Sequence, residues 1–141
     1  MKYISFAIPC YNSEAYMEKA INSILVGGED VEIIVVNDGS KDGTQKIAER
    51  YQEKYPTIVK AVEKENGGHG DAVNCGLAHA TGKYFKVVDS DDWVDAEALR
   101  KILEFLKKLE SEDEEVDMLI SNYVYEKVGA THKKCIHYRN V

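Results

Sequence analysis

The sequence predicts an α/β fold in which helices flank both faces of a mostly parallel sheet. Segments typical of strands and helices alternate over four pairs, an order that requires crossover connections between parallel strands. Residues 31–36 are nearly continuous in valine and isoleucine, which favours a strand buried on both faces. With 141 residues, 44% of them hydrophobic, the chain suits one domain with a packed core.

The first strand–helix pair lies at the beginning of the chain. Residues 3–8 are apolar and β-branched, and we expect Pro9 to end this strand. Asn12 and Ser13 are candidate N-caps for a helix that the glycine pair at residues 27–28 stops. The apolar residues of this helix recur at helical spacing: Met17, Ala20, Ile21 and Ile24.

The second pair begins with the strand at residues 31–36. The turn signal at residues 37–40 follows it directly. A helix is expected from Thr44 to a point before Pro56, because the residue before a proline disfavours helical conformation.

The third and fourth pairs complete the sheet. A short strand at residues 58–62 is followed by a flexible glycine-rich loop at residues 66–70 and a helix of small residues at 71–80. A fourth strand is expected at residues 84–88, and Asp95 is a candidate N-cap of the last long helix. The apolar face of that helix consists of Leu99, Ile102, Leu103, Leu106 and Leu109.

Beyond the fourth helix the sequence predicts two further strands. The acidic run at residues 110–115 is typical of a solvated loop. Strands are expected at residues 118–124 and 135–138, joined by a turn at residues 129–130. An unpaired strand edge around residues 123–138 could join a second copy, so the sequence is compatible with a homodimer.

Charge, hydropathy and cysteine content exclude several classes of protein. A net charge of −7 argues against nucleic acid or an anionic membrane surface as a partner. No apolar run reaches the roughly 20 residues of a membrane span, and the N-terminus lacks the apolar stretch of a signal peptide. Cys10, Cys75 and Cys135 are widely spaced, which indicates free thiols in a reducing cytoplasm.

Polar clusters follow three of the predicted strands. They are Pro9-Cys10-Tyr11-Asn12, Asn37-Asp38-Gly39-Ser40 and Asp89-Ser90-Asp91-Asp92. Ligands of open α/β sheets bind beyond the carboxyl ends of the strands, so the three clusters should meet at one edge. This expected convergence is the main argument from the residues for a binding site.

Asp89 and Asp91 form the candidate metal site. Side chains two apart in an extended segment point the same way, so the two carboxylates would face one side. Such an oxygen pair suits magnesium or manganese, which share their coordination with phosphates. The alternative is a charged loop that only caps the helix beginning near Asp95.

Other residues near the strand ends have two interpretations each. Asp38 is either a turn residue or an acceptor for the imide N–H of a uracil ring, and Tyr11 is either a core aromatic or a stacking surface for a base. The glycines at residues 67–70 are a weak phosphate-loop signal. His69 is interpreted as polar surface, and Trp93 as a wedge against the sheet in preference to a sugar contact.

Four motifs together resemble the family 2 glycosyltransferases of GT-A fold. The resemblance extends over residues 3–125, and the order of the motifs makes it specific. It implies a GT-A-type, Rossmann-like sheet. The motifs are Phe6-Ala7-Ile8-Pro9-Cys10-Tyr11-Asn12, Ile34-Val35-Val36-Asn37-Asp38-Gly39-Ser40-Lys41-Asp42-Gly43-Thr44, Asn66-Gly67-Gly68 and Asp89-Ser90-Asp91-Asp92-Trp93.

The resemblance implies a nucleotide diphosphate sugar, most often UDP-linked, as the donor. Pro9 and Tyr11 would lie along the base, and Asp38 would bind the uracil. Asp89 would contact the ribose or the metal region, while Asp91 would hold Mn²⁺ or Mg²⁺ against the diphosphate. The remaining nucleotide contacts implied are Asn12, Asn66, Gly67 and Ser90.

The reaction that the resemblance implies is an inverting transfer of a hexosyl or N-acetylhexosaminyl group. A carboxylate base would deprotonate the acceptor hydroxyl. Nothing after Asp92 resembles the family's base motif, so no catalytic residue is assigned. The helix after the Asn-Gly-Gly loop also lacks the family's frequent arginine, for which Lys64 is a candidate substitute.

These departures predict the organisation of the protein. We expect residues 1–141 to form a single nucleotide-sugar-binding domain, truncated so that the acceptor-binding part is absent. The acceptor would be a glycan or lipid-linked molecule recognised by that part. The expected location is the cytoplasm, at the inner face of the membrane, in cell-surface polysaccharide biosynthesis.

Two other functions are compatible with the sequence. A sugar nucleotidyltransferase shares the architecture, but should carry a glycine- and arginine-rich loop with a lysine directly after the first strand. This chain has Pro9-Cys10-Tyr11-Asn12 there. A non-catalytic nucleotide-binding module is the second alternative, and nucleotide binding measurements separate the three.

Overall fold

The computed structural model of the chain describes residues 2–112, 123–125 and 134–136. The chain divides into two compact units, Met1–Lys108 and Leu109–Val141. The predicted turn at residues 129–130, and most of the two strands predicted near it, lie outside the described residues.

The first unit is built on a four-stranded sheet. The strands lie in the order β3-β2-β1-β4, and all three pairings between them are parallel. This confirms the predicted α/β class and brings the carboxyl ends of the strands to one edge. The strands are β1 (Ile4–Cys10), β2 (Val31–Asp38), β3 (Val59–Lys64) and β4 (Tyr84–Val87).

In the described part of the chain, four α-helices accompany these strands. They are α1 (Met17–Leu25), α2 (Thr44–Lys54), α3 (His69–His79) and α4 (Ala96–Ser111). On one face of the sheet, Gly76 of α3 packs so closely that an added Cβ would lie 2.6 Å from the Cβ of Ala7. On the opposite face, Gly27 packs against the side chain of Val31 and against that of Leu103, which belongs to α4. Helices therefore flank both faces, as predicted.

The core forms where the apolar patterns place it. Every residue of β1 and β2 is buried, as a strand covered on both faces requires. Each fully buried aliphatic side chain contributes roughly 1.5–3 kcal/mol through the hydrophobic effect. The four residues predicted for the inner face of α1 are fully buried: Met17, Ala20, Ile21 and Ile24.

Pro9 does not end β1, which continues to Cys10. The pairing of β1 with β4 stops at Ala7, whose carbonyl accepts a bond from the Val88 N–H at 2.9 Å. In a parallel sheet, alternate residues of a strand bond to the neighbouring strands on opposite sides. Pro9 is two residues after Ala7 and therefore points toward the β4 side, where β4 has already ended. The missing N–H of proline therefore removes no bond from the sheet.

Two predicted helix starts also differ from the structure. Asn12 and Ser13 do not cap α1, which begins at Met17 without a side-chain cap. α3 begins at His69, so His69 and Gly70 belong to the helix and not to the preceding loop. The cap at Asp95 is confirmed, because its Oδ1 accepts a bond from the Ala98 N–H at 2.8 Å.

The second unit contains a short antiparallel pair of strands, β5 (Tyr123–Tyr125) and β6 (Lys134–Ile136). They overlap the two strands predicted for this segment. Association of this edge with a second copy stays a prediction. A search of the described helices finds none with the length and apolar character to cross a membrane.

Cys10 and Cys75 are free thiols, as predicted. Burial raises the pKa of the Cys10 thiol to about 12. A thiol with so high a pKa is protonated at neutral pH and therefore unreactive as a nucleophile. Cys10 consequently contributes to packing.

Glu32 is a buried carboxylate near the beginning of β2. It accepts hydrogen bonds from the Lys60 ammonium at 2.7 Å and from the Ser5 hydroxyl at 2.8 Å. The N–H and the hydroxyl of Thr81 both donate to it at 2.9 Å. Burial alone would raise the pKa of Glu32, but these donors outweigh burial and lower the pKa to about 2.

The Glu32→Gln variant should lower the free energy of unfolding at pH 7 by about 2–3 kcal/mol. Because the folded pKa is depressed, the stabilisation is present above the ordinary pKa of 4.5 and is lost as pH falls toward 2. Urea unfolding from pH 7 to pH 3 should therefore show the difference between the two proteins shrinking. The matched control is Glu63→Gln, which replaces an exposed carboxylate on β3. A difference for Glu32→Gln that does not vary with pH would contradict this account.

Candidate functional site

A cleft of about 320 Å³ opens at the carboxyl ends of β1 and β4. This volume lies within the usual range of small-molecule sites. The loops after β1 and β4 and the first turn of α3 supply its walls. The lining residues are Pro9, Tyr11, Asn12, Ser13, Tyr16, His69, Asp89, Ser90 and Asp91.

The cleft joins most of the residues that the sequence singled out. Pro9, Tyr11 and Asn12 line it from one side, and the segment Asp89–Asp91 lines it from the other. Three further predicted residues, Asp38, Asn66 and Gly67, do not line it. The predicted convergence therefore holds for the first and third polar clusters, and the second lies beside them.

Asp38 is buried at the end of β2, with 4% of its surface exposed. Its Oδ1 accepts bonds from the Lys64 ammonium and the Gly67 N–H, both at 2.9 Å, and its Oδ2 accepts one from the Gly68 N–H at 3.0 Å. Burial alone would raise the pKa of Asp38, but these donors lower it. The carboxylate thus anchors the Asn-Gly-Gly loop to β2, and recognition of a uracil by Asp38 stays a prediction.

Oxygen atoms of β2, of α3 and of the segment before the Asn-Gly-Gly loop hold Lys64. Its ammonium contacts the carboxylates of Asp38 and Asp71 and the carbonyl of Glu65. The hydrogen bonds to Asp71 and then to Asp38 raise the pKa of Lys64, which keeps it charged. Lys64 does not line the cleft. Its substitution for the family's arginine, near the base or the phosphates, stays a prediction.

The turn after β2 packs directly on the Asn-Gly-Gly loop. β2 extends through Asp38, so the turn begins at Gly39 and not at Asn37 as predicted. Gly39 has a φ of 70°, and a Cβ there would lie 2.8 Å from the backbone nitrogen of Asn66. Only glycine combines this conformation with so close an approach. The contact fixes the loop to the carboxyl end of β2.

Asn12 ties the loop after β1 to the loop after β2. Its N–H donates to the Ser40 hydroxyl at 2.9 Å, and its Oδ1 accepts a bond from the Lys41 N–H at 2.8 Å. Asn12 has a φ of 49°, a conformation that asparagine tolerates better than most residues. Its side-chain oxygen therefore shapes the rim of the cleft through an internal bond.

Ser13 connects the loop after β1 with the first residue of α2 and with the loop after β4. Its Oγ lies 2.7 Å from the Ser90 Oγ and accepts a bond from the Tyr11 N–H at 3.1 Å. Its backbone N–H donates to the Thr44 hydroxyl at 2.9 Å. The side chain is almost completely buried, whereas the neighbouring Asn12 is exposed.

Acidic side chains concentrate negative charge on the rim formed by the loop after β4. Asp89 Oδ1 lies 2.8 Å from the Nε2 of His69. The pKa of Asp92 is raised, first by burial and then by the charges of Asp91 and Asp89. The Asp92 carboxylate therefore lies within range of the negative charges of both Asp91 and Asp89.

The donor set on this rim fits a divalent cation. Among the residues that the structure describes, no three His, Cys, Asp or Glu side chains are grouped to hold a metal ion. The segment is not extended as predicted, because Ser90 and Asp91 form a turn closed by a bond from the Asp92 N–H to the Asp89 carbonyl at 2.9 Å. Asp89 and Asp91 both line the cleft all the same. Magnesium and manganese are commonly held by one or two carboxylates and completed by water and phosphate oxygens. Two exposed acids beside an open cleft satisfy that requirement.

The structure adds three cleft residues that the sequence analysis did not select: Ser13, Tyr16 and His69. Tyr16 and Tyr11 are 58% and 52% exposed, so neither ring belongs to the core. No sequence motif marks these three residues. Their positions close to a strand end or to the glycine-rich loop are the feature of the sequence that could have identified them.

Trp93 follows the acids but is not a buried wedge against the sheet. It is 41% exposed. The Lys19 ammonium of α1 lies 3.5 Å from the centre of a Trp93 ring, a cation–π contact. Trp93 therefore links the acidic loop to the surface of α1.

Comparison with known proteins identifies relatives over most of the chain. Residues 5–130 match the family described as Glycosyl transferase family 2. Minor teichoic acid biosynthesis protein GgaB of Bacillus subtilis (strain 168) is 37% identical over 111 residues, which cover 77% of this chain and 12% of that protein. The chain spans between 12% and 34% of the length of the first curated relatives that it matches.

Two solved structures share the fold and contain nucleotide sugars. TarS 1-349 of S. aureus in complex with UDP-GlcNAc has a TM-score of 0.67 and 34% identity, covering 78% of this chain and 32% of that chain. The mannosyltransferase PcManGT from Pyrobaculum calidifontis, in complex with GDP-Man and Mn²⁺, has a TM-score of 0.63 and 28% identity. That match covers 73% of this chain and 32% of the mannosyltransferase.

Proposed function

Because this chain belongs to glycosyl transferase family 2, we propose that it binds a nucleotide diphosphate sugar, namely a UDP-sugar, together with a divalent cation. One observation carries the proposal. Pro9, near the carboxyl end of β1, and Tyr11, from the loop after β1, line the same cleft as the acidic segment Asp89–Asp91, from the loop after β4. One cleft therefore carries an aromatic surface on which a base can stack and two carboxylates that can hold a cation for the diphosphate.

The nucleotide would lie across the loops after β1 and β4. The exposed Tyr11 ring provides a flat surface on which a base can stack. Asp89 and Asp91 would hold Mn²⁺ or Mg²⁺, which acts as a Lewis acid for the leaving diphosphate. TarS with UDP-GlcNAc supports the uridine nucleotide, and PcManGT with GDP-Man and Mn²⁺ supports the cation.

The proposed reaction is an inverting transfer of a hexosyl or N-acetylhexosaminyl group to a hydroxyl of a glycan or lipid-linked acceptor. The relative GgaB, named for minor teichoic acid biosynthesis, supports a role in making cell-surface polysaccharide. Asp89 and Asp91 are the carboxylates that line the cleft. Both would be engaged by the cation, so we propose that neither is the general base.

Calorimetric titration with UDP tests the proposal. We expect binding that strengthens about tenfold or more when MnCl₂ is present, because Asp89 and Asp91 would hold a cation that offsets the negative charge of the diphosphate. GDP and ADP should bind more weakly than UDP. Release of pyrophosphate from a nucleoside triphosphate would instead indicate a nucleotidyltransferase. The absence of nucleotide binding with either Mn²⁺ or Mg²⁺ would contradict the proposal.

A further inference from the structure

The Ser13 hydroxyl is a buried polar group beside an exposed cleft. Ser13 is 3% exposed, and a buried hydroxyl requires hydrogen-bond partners. Its Oγ has three of them: the Ser90 Oγ at 2.7 Å, the Tyr11 N–H at 3.1 Å and the Tyr11 carbonyl at 3.3 Å. These partners lie on opposite walls of the cleft, because Tyr11 follows β1 and Ser90 follows β4.

The sheet itself does not hold these two walls together. The last bond of the sheet between β1 and β4 runs from the Val88 N–H to the Ala7 carbonyl. The cleft residues of both loops lie beyond that point. The Ser13–Ser90 contact joins the walls where the regular pairing has ended.

Ser90 lies between the two acids of the candidate cation site. Fixing its hydroxyl restricts the backbone from which Asp89 and Asp91 project. The same Ser13 oxygen accepts the Tyr11 N–H, which fixes the backbone that carries the exposed ring. One hydroxyl is therefore bonded both to the loop that carries the acids and to the loop that carries the aromatic ring.

We propose that Ser13 is a positioning residue that holds the acidic loop and the Tyr11 loop at the separation required by one nucleotide and one cation. The inference rests on the proposed function, since it concerns the same cleft. Ser13 need not touch the ligand, because it acts through Ser90 and Tyr11. Its N–H also bonds to Thr44, so the first residue of α2 supports Ser13 as well.

The Ser13→Ala variant should weaken Mn²⁺-dependent UDP binding by about five- to tenfold, as expected for the loss of one buried hydrogen bond. Ser5→Ala is the matched control. Ser5 is also a fully buried serine of the β1 region, but its Oγ bonds to Glu32 and to the Gly82 N–H, away from the cleft. Ser5→Ala should lower the urea midpoint and leave UDP affinity within about twofold.

A double-mutant cycle with Ser90→Ala separates positioning from general loss of stability. If the two hydroxyls act as a pair, the double variant should bind UDP and Mn²⁺ no more weakly than Ser13→Ala alone. Ser90→Ala removes the same contact from its other side. Because Ser90 is only half-buried, this variant can test the contact even if Ser13→Ala fails to fold.

The outcomes distinguish the inference from the proposed function. Wild-type affinity for UDP and Mn²⁺ in both single variants, measured where they are folded, would overturn the positioning role alone. Equal weakening by Ser5→Ala and Ser13→Ala would also overturn it. A wild-type protein that binds no UDP with Mn²⁺ would instead overturn the proposed function.

Discussion

Replacing Asp91 by asparagine should weaken Mn²⁺-dependent UDP binding about tenfold or more, to the affinity measured without metal. Asparagine keeps the shape of the side chain but removes a negative charge from the cation site. Asp91 is exposed and lines the cleft, so the substitution should not disturb the core. Calorimetry with UDP, in the presence and absence of MnCl₂, measures the effect.

The control for Asp91→Asn is Glu53→Gln, which removes one charge from an exposed position of α2. This variant matches the change in net charge and should bind UDP and Mn²⁺ like the wild type. The urea midpoint of Asp91→Asn without metal should equal that of the wild type. Unchanged Mn²⁺-dependent binding in Asp91→Asn would show that Asp91 does not hold the cation.

Replacing Asp38 by alanine should lower the free energy of unfolding by about 3 kcal/mol. The substitution removes one acceptor from each of three donors: the Lys64 ammonium and the N–H groups of Gly67 and Gly68. Asp38→Asn should lower the free energy of unfolding by less, since the amide oxygen can still accept a hydrogen bond from one side of the loop. Urea unfolding at pH 7 gives the ranking of the three proteins.

The pH dependence of this effect has a defined sign. The folded pKa of Asp38 is depressed, so its stabilising contribution is present above the ordinary aspartate pKa. The contribution is lost as pH falls through the folded pKa, and the variants should then approach the wild type. The control is Glu65→Gln, which replaces an exposed carboxylate of the same loop and should change the free energy of unfolding little. Wild-type stability of Asp38→Ala at pH 7 would show that the loop needs no anchor.

Most of the fold could be predicted because its signals are local. The alternation of strands and helices depends on apolar spacing, and the buried face of α1 follows from residues within nine positions of one another. The continuous apolar run of β2 likewise indicates a strand covered on both faces. The errors lie at the ends of elements, where a distant partner decides the outcome, as the end of β4 does for Pro9.

The candidate site could be predicted in part. Residues at strand ends were identified because parallel strands share one edge, and Pro9, Tyr11 and Asp91 do meet there. The role of Asp38 as a loop anchor was not found, since its three donors lie 26 to 30 positions further along the chain. Ser13 was assigned to a helix cap for the same reason, because its main partner, Ser90, is 77 positions away.

The sequence by itself determined the α/β class, the order of the elements and the chemical types of the residues gathered at the carboxyl edge of the sheet. The tertiary structure alone decided which of those residues face the cleft and which hold its loops together. Aspartate and serine can serve either purpose, since each can bond to a ligand or to a backbone N–H with similar geometry. The choice depends on which donor lies within about 3 Å, a distance that only the folded chain sets.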